Sequence, residues 1–189
     1  MTRLEGSLGR LGGCAWMGRP FHYFSLCVDL EARSIPDDVG ELVGVLSVII
    51  AAETVDRAAI GLDPYPPDRW LSIEVSGIDP IKLSTLHYLA SGRTPGRIKT
   101  LLCVMRFRYV GGDKKEGPWL LGIPKSVCKS FASMDPLHAH ALAVKWGDTD
   151  ELQAHDWSME DAQNFIIELS SFARESMQHK SRLFLWLCP

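Results

Sequence analysis

The sequence lacks the cysteine patterns that staple small extracellular or zinc-binding domains. Its five cysteines are odd in number and widely spread, and no C-x-x-C pair occurs. This distribution excludes a fully paired disulfide framework and a zinc knuckle, and it predicts a reducing, cytoplasmic compartment. Cys128 lies beside Lys125 and Lys129, which makes it the candidate for an exposed thiol with a lowered pKa, although a cysteine of this kind more often simply packs.

Long hydrophobic runs and an export signal are missing as well. The first 19 residues hold no apolar stretch of signal-peptide length. The longest apolar run, residues 39–52, is interrupted by Glu41 and is shorter than the roughly 20 residues that a membrane span needs. We therefore expect a protein that is not exported by the usual route and has no membrane partner.

Several motifs of nucleotide-driven and nucleophilic enzymes are also absent. Neither a P-loop nor a dinucleotide-binding fingerprint occurs, and there is no G-x-S-x-G elbow. These absences favour a protein that is not an enzyme and that needs no cofactor.

What the sequence does contain is a segregated distribution of charge. Residues 29–82 carry 11 Asp and Glu against 4 Lys and Arg, residues 83–145 carry 3 against 10, and residues 146–189 carry 8 against 3. Such segregation favours a two-sided surface that steers a charged partner. The acidic flanks and the pI near 6.1 argue against nucleic acid as that partner, because binding a phosphate backbone needs a basic footprint.

Acidic side chains form the predicted partner-binding site. Carboxylates at helix starts, such as Glu160 and Asp161, are accounted for by the helix dipole. The remainder lie near helix ends or in loops, and if the fold gathers them they form an anionic face able to occlude a cationic cleft on another protein. The predicted partner-binding residues are Asp56, Asp63, Asp68, Asp148, Asp150, Glu151 and Asp156.

The clearest local signal is a helix over residues 80–91. Asp79 is a good N-cap, and Pro80 suits the first helical position because the amide it lacks has no partner there. Gly92 provides the stop.

Periodicity and length assign the remaining segments. Residues 39–54 favour a buried helix, although their β-branched content leaves a strand open. Residues 138–146 are ambiguous, since alternation favours a strand whereas the preceding Asp-Pro pair favours a helix. Strands are expected at 21–30, 70–75, 101–110, 119–123 and 183–188, and helices at 124–134 and 158–177.

This order of elements predicts an α+β fold. We expect one layered domain with a mixed β-sheet of about five or six strands packed with about four helices. The glycine-rich residues 1–18 predict a flexible leader, and the domain would cover residues 19–189. The last segment is strongly apolar, which predicts an interior place in the sheet.

A second interpretation is a metal-dependent hydrolase. If the ambiguous segment is a strand, His138 and His140 project from one face and share a cation with Asp148, while Glu151 or His155 acts as the base. If the segment is a helix, two residues of separation turn the imidazoles about 200° apart and the pair dissolves.

The C-terminal third resembles a known class of protein. Its Trp146-Gly-Asp-Thr-Asp segment, its capped helix over 158–177 and its short aromatic strand over 183–186 are similar to small cytoplasmic immunity proteins of bacterial toxin systems. The resemblance implies a cytoplasmic protein without catalytic residues that plugs the active site of a cognate toxin acting in the cytosol, such as a nuclease. We therefore expect a non-enzymatic protein-binding module, with the metal-dependent hydrolase as the alternative.

Overall fold

The computed structural model describes residues 46–62, 66–112, 117–154 and 157–188. All of them belong to one compact unit, Ser34–Pro189. The predicted leader and the predicted strand over 21–30 lie outside the described residues. Within the described residues the chain forms one five-stranded sheet, made of β1 (Leu46–Ala52), β2 (Leu71–Ser76), β3 (Arg108–Gly112), β4 (Trp119–Gly122) and β5 (Arg182–Cys188).

Helices supply the second layer, which confirms the α+β prediction. The described residues contain more helices than the four expected, because residues 57–62 and 97–104 are helical and because short polar breaks divide the chain between β4 and β5 into four separate helices. The α-helices of the described residues are α1 (Arg57–Leu62), α2 (Pro80–Ala90), α3 (Arg97–Val104), α4 (Lys125–Ala132), α5 (Ala139–Gly147), α6 (Asp150–Gln153) and α7 (Met159–Gln178).

The strands lie in the order β2-β1-β5-β4-β3, and every described pair is antiparallel. Among the described strands, the prediction of a mixed sheet was therefore wrong. The helices between β4 and β5 return the chain to the edge where β4 ends, as the pairing of Gly122 with Phe184 shows. Because β5 starts at that edge, it runs antiparallel to β4.

The last strand lies in the interior of the sheet, between β1 and β4, as its apolar sequence predicted. Its Leu183 and Trp186 are buried on opposite sides, because successive strand residues point to opposite faces. Trp186 belongs to a buried cluster that contains side chains from three strands and from α1. The buried members of this cluster are Val48, Ile50, Ala52, Ile60, Leu120, Phe184 and Trp186.

Two helices form where capping signals predicted them. At the start of α2, Asp79 accepts hydrogen bonds from the amides of Ile81 (2.7 Å) and Lys82 (2.8 Å). At the start of α7, Ser158 and Asp161 form a reciprocal capping box. Both motifs satisfy amides that the first helical turn leaves without partners, so each fixes the helix start locally.

The expected helix over residues 39–54 was wrong where the structure describes it. Residues 46–52 form β1, which lies between β2 and β5, and residues 39–45 lie outside the described part of the chain. Val48, Ile49 and Ile50 are β-branched and completely buried. Such side chains pack well in a sheet that is covered on both faces. Their burial therefore favours a strand over a helix for residues 46–52.

The expected strand over 101–110 was also wrong for most of its length. Helix α3 occupies 97–104, and β3 begins at Arg108. The helix buries Cys103 and Val104, and it packs against α2. The apolar run is therefore used at helical rather than alternating spacing.

Helix α1 crosses β3 at a point where only glycine fits. A methyl group on Gly61 would lie 2.8 Å from the amide nitrogen of Gly112 and 3.0 Å from Cα of Gly111. Both of those atoms belong to the backbone, which cannot rotate away. The missing side chain therefore allows α1 to lie directly on the edge of the sheet.

Candidate functional site

Three of the predicted partner-binding carboxylates lie together in one short connection. We call residues 148–151 the acidic loop. Asp148 caps the C-terminus of α5, and Asp150 and Glu151 lie in the first turn of α6. Asp148 and Asp150 are exposed and Glu151 is half-buried. The described residues thus present three carboxyl groups within four positions.

Buried side chains on both sides hold the acidic loop in place. Trp146 before it and Leu152 after it are buried, and the hydroxyl of Thr149 donates a 2.6 Å hydrogen bond to the carbonyl of Trp146. The Trp146 ring lies 5.7 Å from that of Trp157 and 5.8 Å from that of Phe165, measured between centroids. These contacts anchor the backbone from which the carboxylates project.

The same aromatic cluster places the acidic loop beside one end of the sheet. The indole N–H of Trp157 donates to the carbonyl of Ser76, the last residue of β2, at 3.3 Å. Asp56 lies in a 3-10 turn that directly follows β1, and the end of β1 pairs with Leu71, the first residue of β2. Since the six residues of β2 span roughly 17 Å, Asp56 and the acidic loop flank opposite ends of the sheet.

Among the described residues, Asp56 and the acidic loop are therefore not gathered on one surface. Asp56 is separated from the acidic loop by the length of β2. Asp63 and Asp156 lie outside the described residues, and so does the side chain of Asp68, whose backbone ends the 3-10 turn Pro66–Asp68.

The ligands predicted for a metal ion are not assembled in the described part of the chain. The ambiguous segment is helical: His138 ends a 3-10 turn and His140 lies in the first turn of α5. Asp148 lies past the other end of α5, about 12 Å from His140 along the helix axis. His155, proposed as a base, lies outside the described residues.

Each histidine instead contacts a different neighbour. Nδ1 of His138 lies 2.8 Å from a carboxylate oxygen of Asp135, and Nδ1 of His140 lies 3.0 Å from the amide oxygen of Gln163. The amide of Leu137 and the imidazole of His138 both stabilise the Asp135 carboxylate and lower its pKa. Among the described residues no group of three His, Cys, Asp or Glu is arranged to hold a metal ion.

Of the two alternatives for Cys128, the structure favours the packed cysteine over the reactive thiol. Burial raises the pKa of Cys128 to about 11, and the thiol lies 3.8 Å from the carbonyl of Ile123. Desolvation disfavours the thiolate more strongly than the backbone hydrogen bonds of Leu183 and Cys128 and the charge of Arg182 favour it.

A histidine–serine contact was missed by the sequence reasoning. Nδ1 of His87 on α2 lies 2.6 Å from the hydroxyl oxygen of Ser130 on α4. That hydroxyl donates its single proton to the carbonyl of Val127 at 2.7 Å. The imidazole must therefore be the donor to Ser130. In this arrangement the contact links two helices, and the hydroxyl is not poised to be deprotonated by the imidazole.

The surroundings of His87 keep it neutral. Burial lowers its pKa, and the positive charges of Arg106 and Arg93 lower it further. No sequence motif signals the contact, because 43 residues separate His87 from Ser130.

Ser126 and Lys129 carry a spacing that some serine acyl enzymes use. They occupy the first and last positions of an S-x-x-K pattern on α4. The Ser126 oxygen is buried, and it has no hydrogen-bond partner among the described residues. A substrate cannot reach an enclosed oxygen, so this serine is not placed as a nucleophile.

Comparisons of the chain with protein-family models, curated proteins and solved structures give no significant match. In the described part of the chain, no helix is both long enough and apolar enough to cross a bilayer.

Proposed function

We propose that this protein is a non-enzymatic protein-binding module that neutralises a cognate toxin in the cytoplasm, as the immunity proteins that its C-terminal third resembles do. The surface assigned to the toxin is the acidic loop. One observation supports this choice: three carboxyl groups project from a connection that is anchored on both sides by the buried Trp146 and Leu152.

An anchored acidic loop suits a cationic cleft for two reasons. Its backbone is already ordered, so binding costs less conformational entropy than ordering a free loop would. Its clustered negative charge attracts a positive surface before contact and therefore raises the association rate. A toxin that binds a polyanionic substrate offers such a cleft, and occluding it would inhibit the toxin.

The direct test measures binding to the proteins encoded by adjacent genes. Each would be purified as a catalytically inactive variant and titrated with the full-length chain by surface plasmon resonance at several salt concentrations. Reversing Asp148, Asp150 and Glu151 to Lys should lower the association rate by about tenfold at low salt and flatten its salt dependence.

The matched control carries the same change in net charge elsewhere. Glu53, Glu168 and Glu175 are exposed, and their reversal to Lys should change the rate far less than reversal of the acidic loop. The milder substitutions Asp148→Asn, Asp150→Asn and Glu151→Gln separate loss of attraction from introduced repulsion. Equal effects of the two triple reversals would reject the acidic loop, and failure of every neighbouring protein to bind would reject the proposal.

A further inference from the structure

Helix α3 has two apolar faces, and the fold buries only one of them. Its buried face points toward α2 and consists of residues spaced at helical intervals: Thr100, Cys103 and Val104, continued by Phe107. The opposite face is apolar as well, at the spacing i, i+3, i+4 and i+7. We call it the α3 stripe. It consists of Ile98 (77% exposed), Leu101 (45%), Leu102 (57%) and Met105 (44%).

Scattered exposed apolar residues are normal on a protein surface, but the α3 stripe is contiguous. At 100° per residue its four side chains fall within about 100° of arc on one helix and its C-cap. Contiguous apolar patches with a polar rim mark interaction sites on soluble proteins. The spacing is the one that an amphipathic helix uses to pack against another helix.

Positive charge flanks the α3 stripe on both sides. At 100° per residue, Arg97 lies on one flank, and Lys99 and Arg106 lie on the other. All three are exposed. Residues 91–112 contain five Lys and Arg and neither Asp nor Glu, so nothing within this stretch of sequence neutralises the rim.

We propose that the α3 stripe is a docking site for an acidic amphipathic helix of a protein partner. The apolar face of that helix would cover the stripe. Its Asp and Glu side chains, on either side of the apolar face, would pair with the cations of the two flanks, as charges at the edges of helix–helix interfaces do.

The charge pattern argues against a second copy of this chain as the occupant. A symmetric dimer through this face would place each stripe against its own image. The basic flanks would then face each other, and like charges across an interface are costly.

The limited projection of the α3 stripe from the surface argues against an anionic bilayer as its binding partner. Leu101, Leu102 and Met105 retain about half of their exposure and are therefore set into the surface, and only Ile98 projects strongly. Membrane binding by an amphipathic helix scales with the apolar area that enters the lipid. The side chains of a protein helix can pack between these partly recessed side chains, whereas a bilayer provides no such complementary packing.

This site does not depend on the acidic loop or on the proposed toxin. The acidic loop attracts cations and the basic flanks of the α3 stripe attract anions, so the two surfaces select different partner chemistry. Either can fail in experiment while the other stands.

The test uses the full-length chain, labelled with ¹⁵N, and two synthetic helical peptides. Both peptides carry the same leucine stripe, flanked by Glu in one and by Lys in the other. The Glu peptide should shift the amide resonances of residues 97–106 and bind about tenfold more tightly than the Lys peptide. The double substitution Ile98→Gln and Leu102→Gln should lower the affinity for the Glu peptide by about tenfold.

Matched variants separate the stripe from general hydrophobicity and charge. Leu137→Gln removes an exposed leucine elsewhere and should leave binding unchanged. Arg97→Glu with Lys99→Glu should reverse the preference between the peptides, whereas Lys145→Glu with Lys180→Glu, also at exposed positions, should not. These substitutions lie on the surface, and a ¹⁵N spectrum that is unchanged away from the substituted positions checks the fold of each variant.

Three outcomes would overturn the proposal. Equal affinity for the two peptides, or resonance shifts confined to residues outside 97–106, would reject this site. Binding to vesicles of phosphatidylserine and phosphatidylcholine without binding to the Glu peptide would assign the stripe to a membrane surface. Self-association that is abolished by the Ile98 and Leu102 substitutions would assign it to a second copy.

Discussion

The crossing of α1 over β3 gives the sharpest stability prediction. In Gly61→Ala the new methyl group would lie 2.8 Å from the amide nitrogen of Gly112 and 3.0 Å from Cα of Gly111. Because both obstacles are backbone atoms, α1 or β3 must shift by several tenths of an ångström. The affected strand pairs with β4, so the shift is transmitted to the sheet.

Two opposing effects set the size of the change. Overpacking of this kind costs about 1–3 kcal/mol. Replacing a helical glycine by alanine stabilises a helix by about 0.5–1 kcal/mol in the absence of a clash. We therefore expect Gly61→Ala to lower the free energy of unfolding by about 1–2 kcal/mol, with the clash outweighing the gain in helix propensity.

Urea denaturation of the full-length chain, followed by circular dichroism, measures this difference. The midpoint should fall and the slope should stay constant, which is the signature of a changed stability with an unchanged surface exposed on unfolding. Gly147→Ala is the control, because its methyl group would meet only the flexible end of Met159 at 3.4 Å. A Gly61→Ala variant as stable as the Gly147→Ala variant would refute the reasoning.

Two further predictions concern titratable groups. The folded state lowers the pKa of His87 below 6.5, so the unfolded chain takes up the proton first and the neutral imidazole stabilises the fold above about pH 6.5. Stability lost by His87→Gln, measured from urea midpoints, should therefore shrink as the pH falls from about 7.5 to 5.5, and a loss that is the same at both pH values would contradict this. Burial raises the pKa of Cys128 to about 11, so iodoacetamide at pH 8 should leave it unmodified in the native protein and alkylate it in urea, as peptide mass spectrometry would show.

Local signals were sufficient for the elements that carry their own boundaries. Asp79 and Pro80 fix the start of α2, and Ser158 with Asp161 fixes the start of α7. In these cases the capping residues that mark the helix start are sequence neighbours of the residues that form the helix, so no distant contact is needed. The apolar composition of β5 likewise predicted its interior place, because a strand without a polar face must be covered on both sides.

Local signals failed where an apolar run suits two structures. Residues 46–52 and 101–104 are both rich in aliphatic side chains. Residues 46–52 nevertheless form β1, between β2 and β5, whereas residues 101–104 belong to α3, which packs against α2. A short apolar run satisfies either periodicity. The neighbouring element selects one of them, by offering either a ladder of backbone partners or a helix surface.

The sequence by itself determined the class of fold, the capped helices and the segregation of charge along the chain. Only the tertiary structure decided how these charges and apolar residues are grouped on the surface. It placed Asp56 and the acidic loop beside opposite ends of β2, and it left the α3 stripe exposed while covering the opposite face of the same helix. Proximity and exposure depend on elements that are distant in sequence, and for that reason no local pattern of residues encodes them.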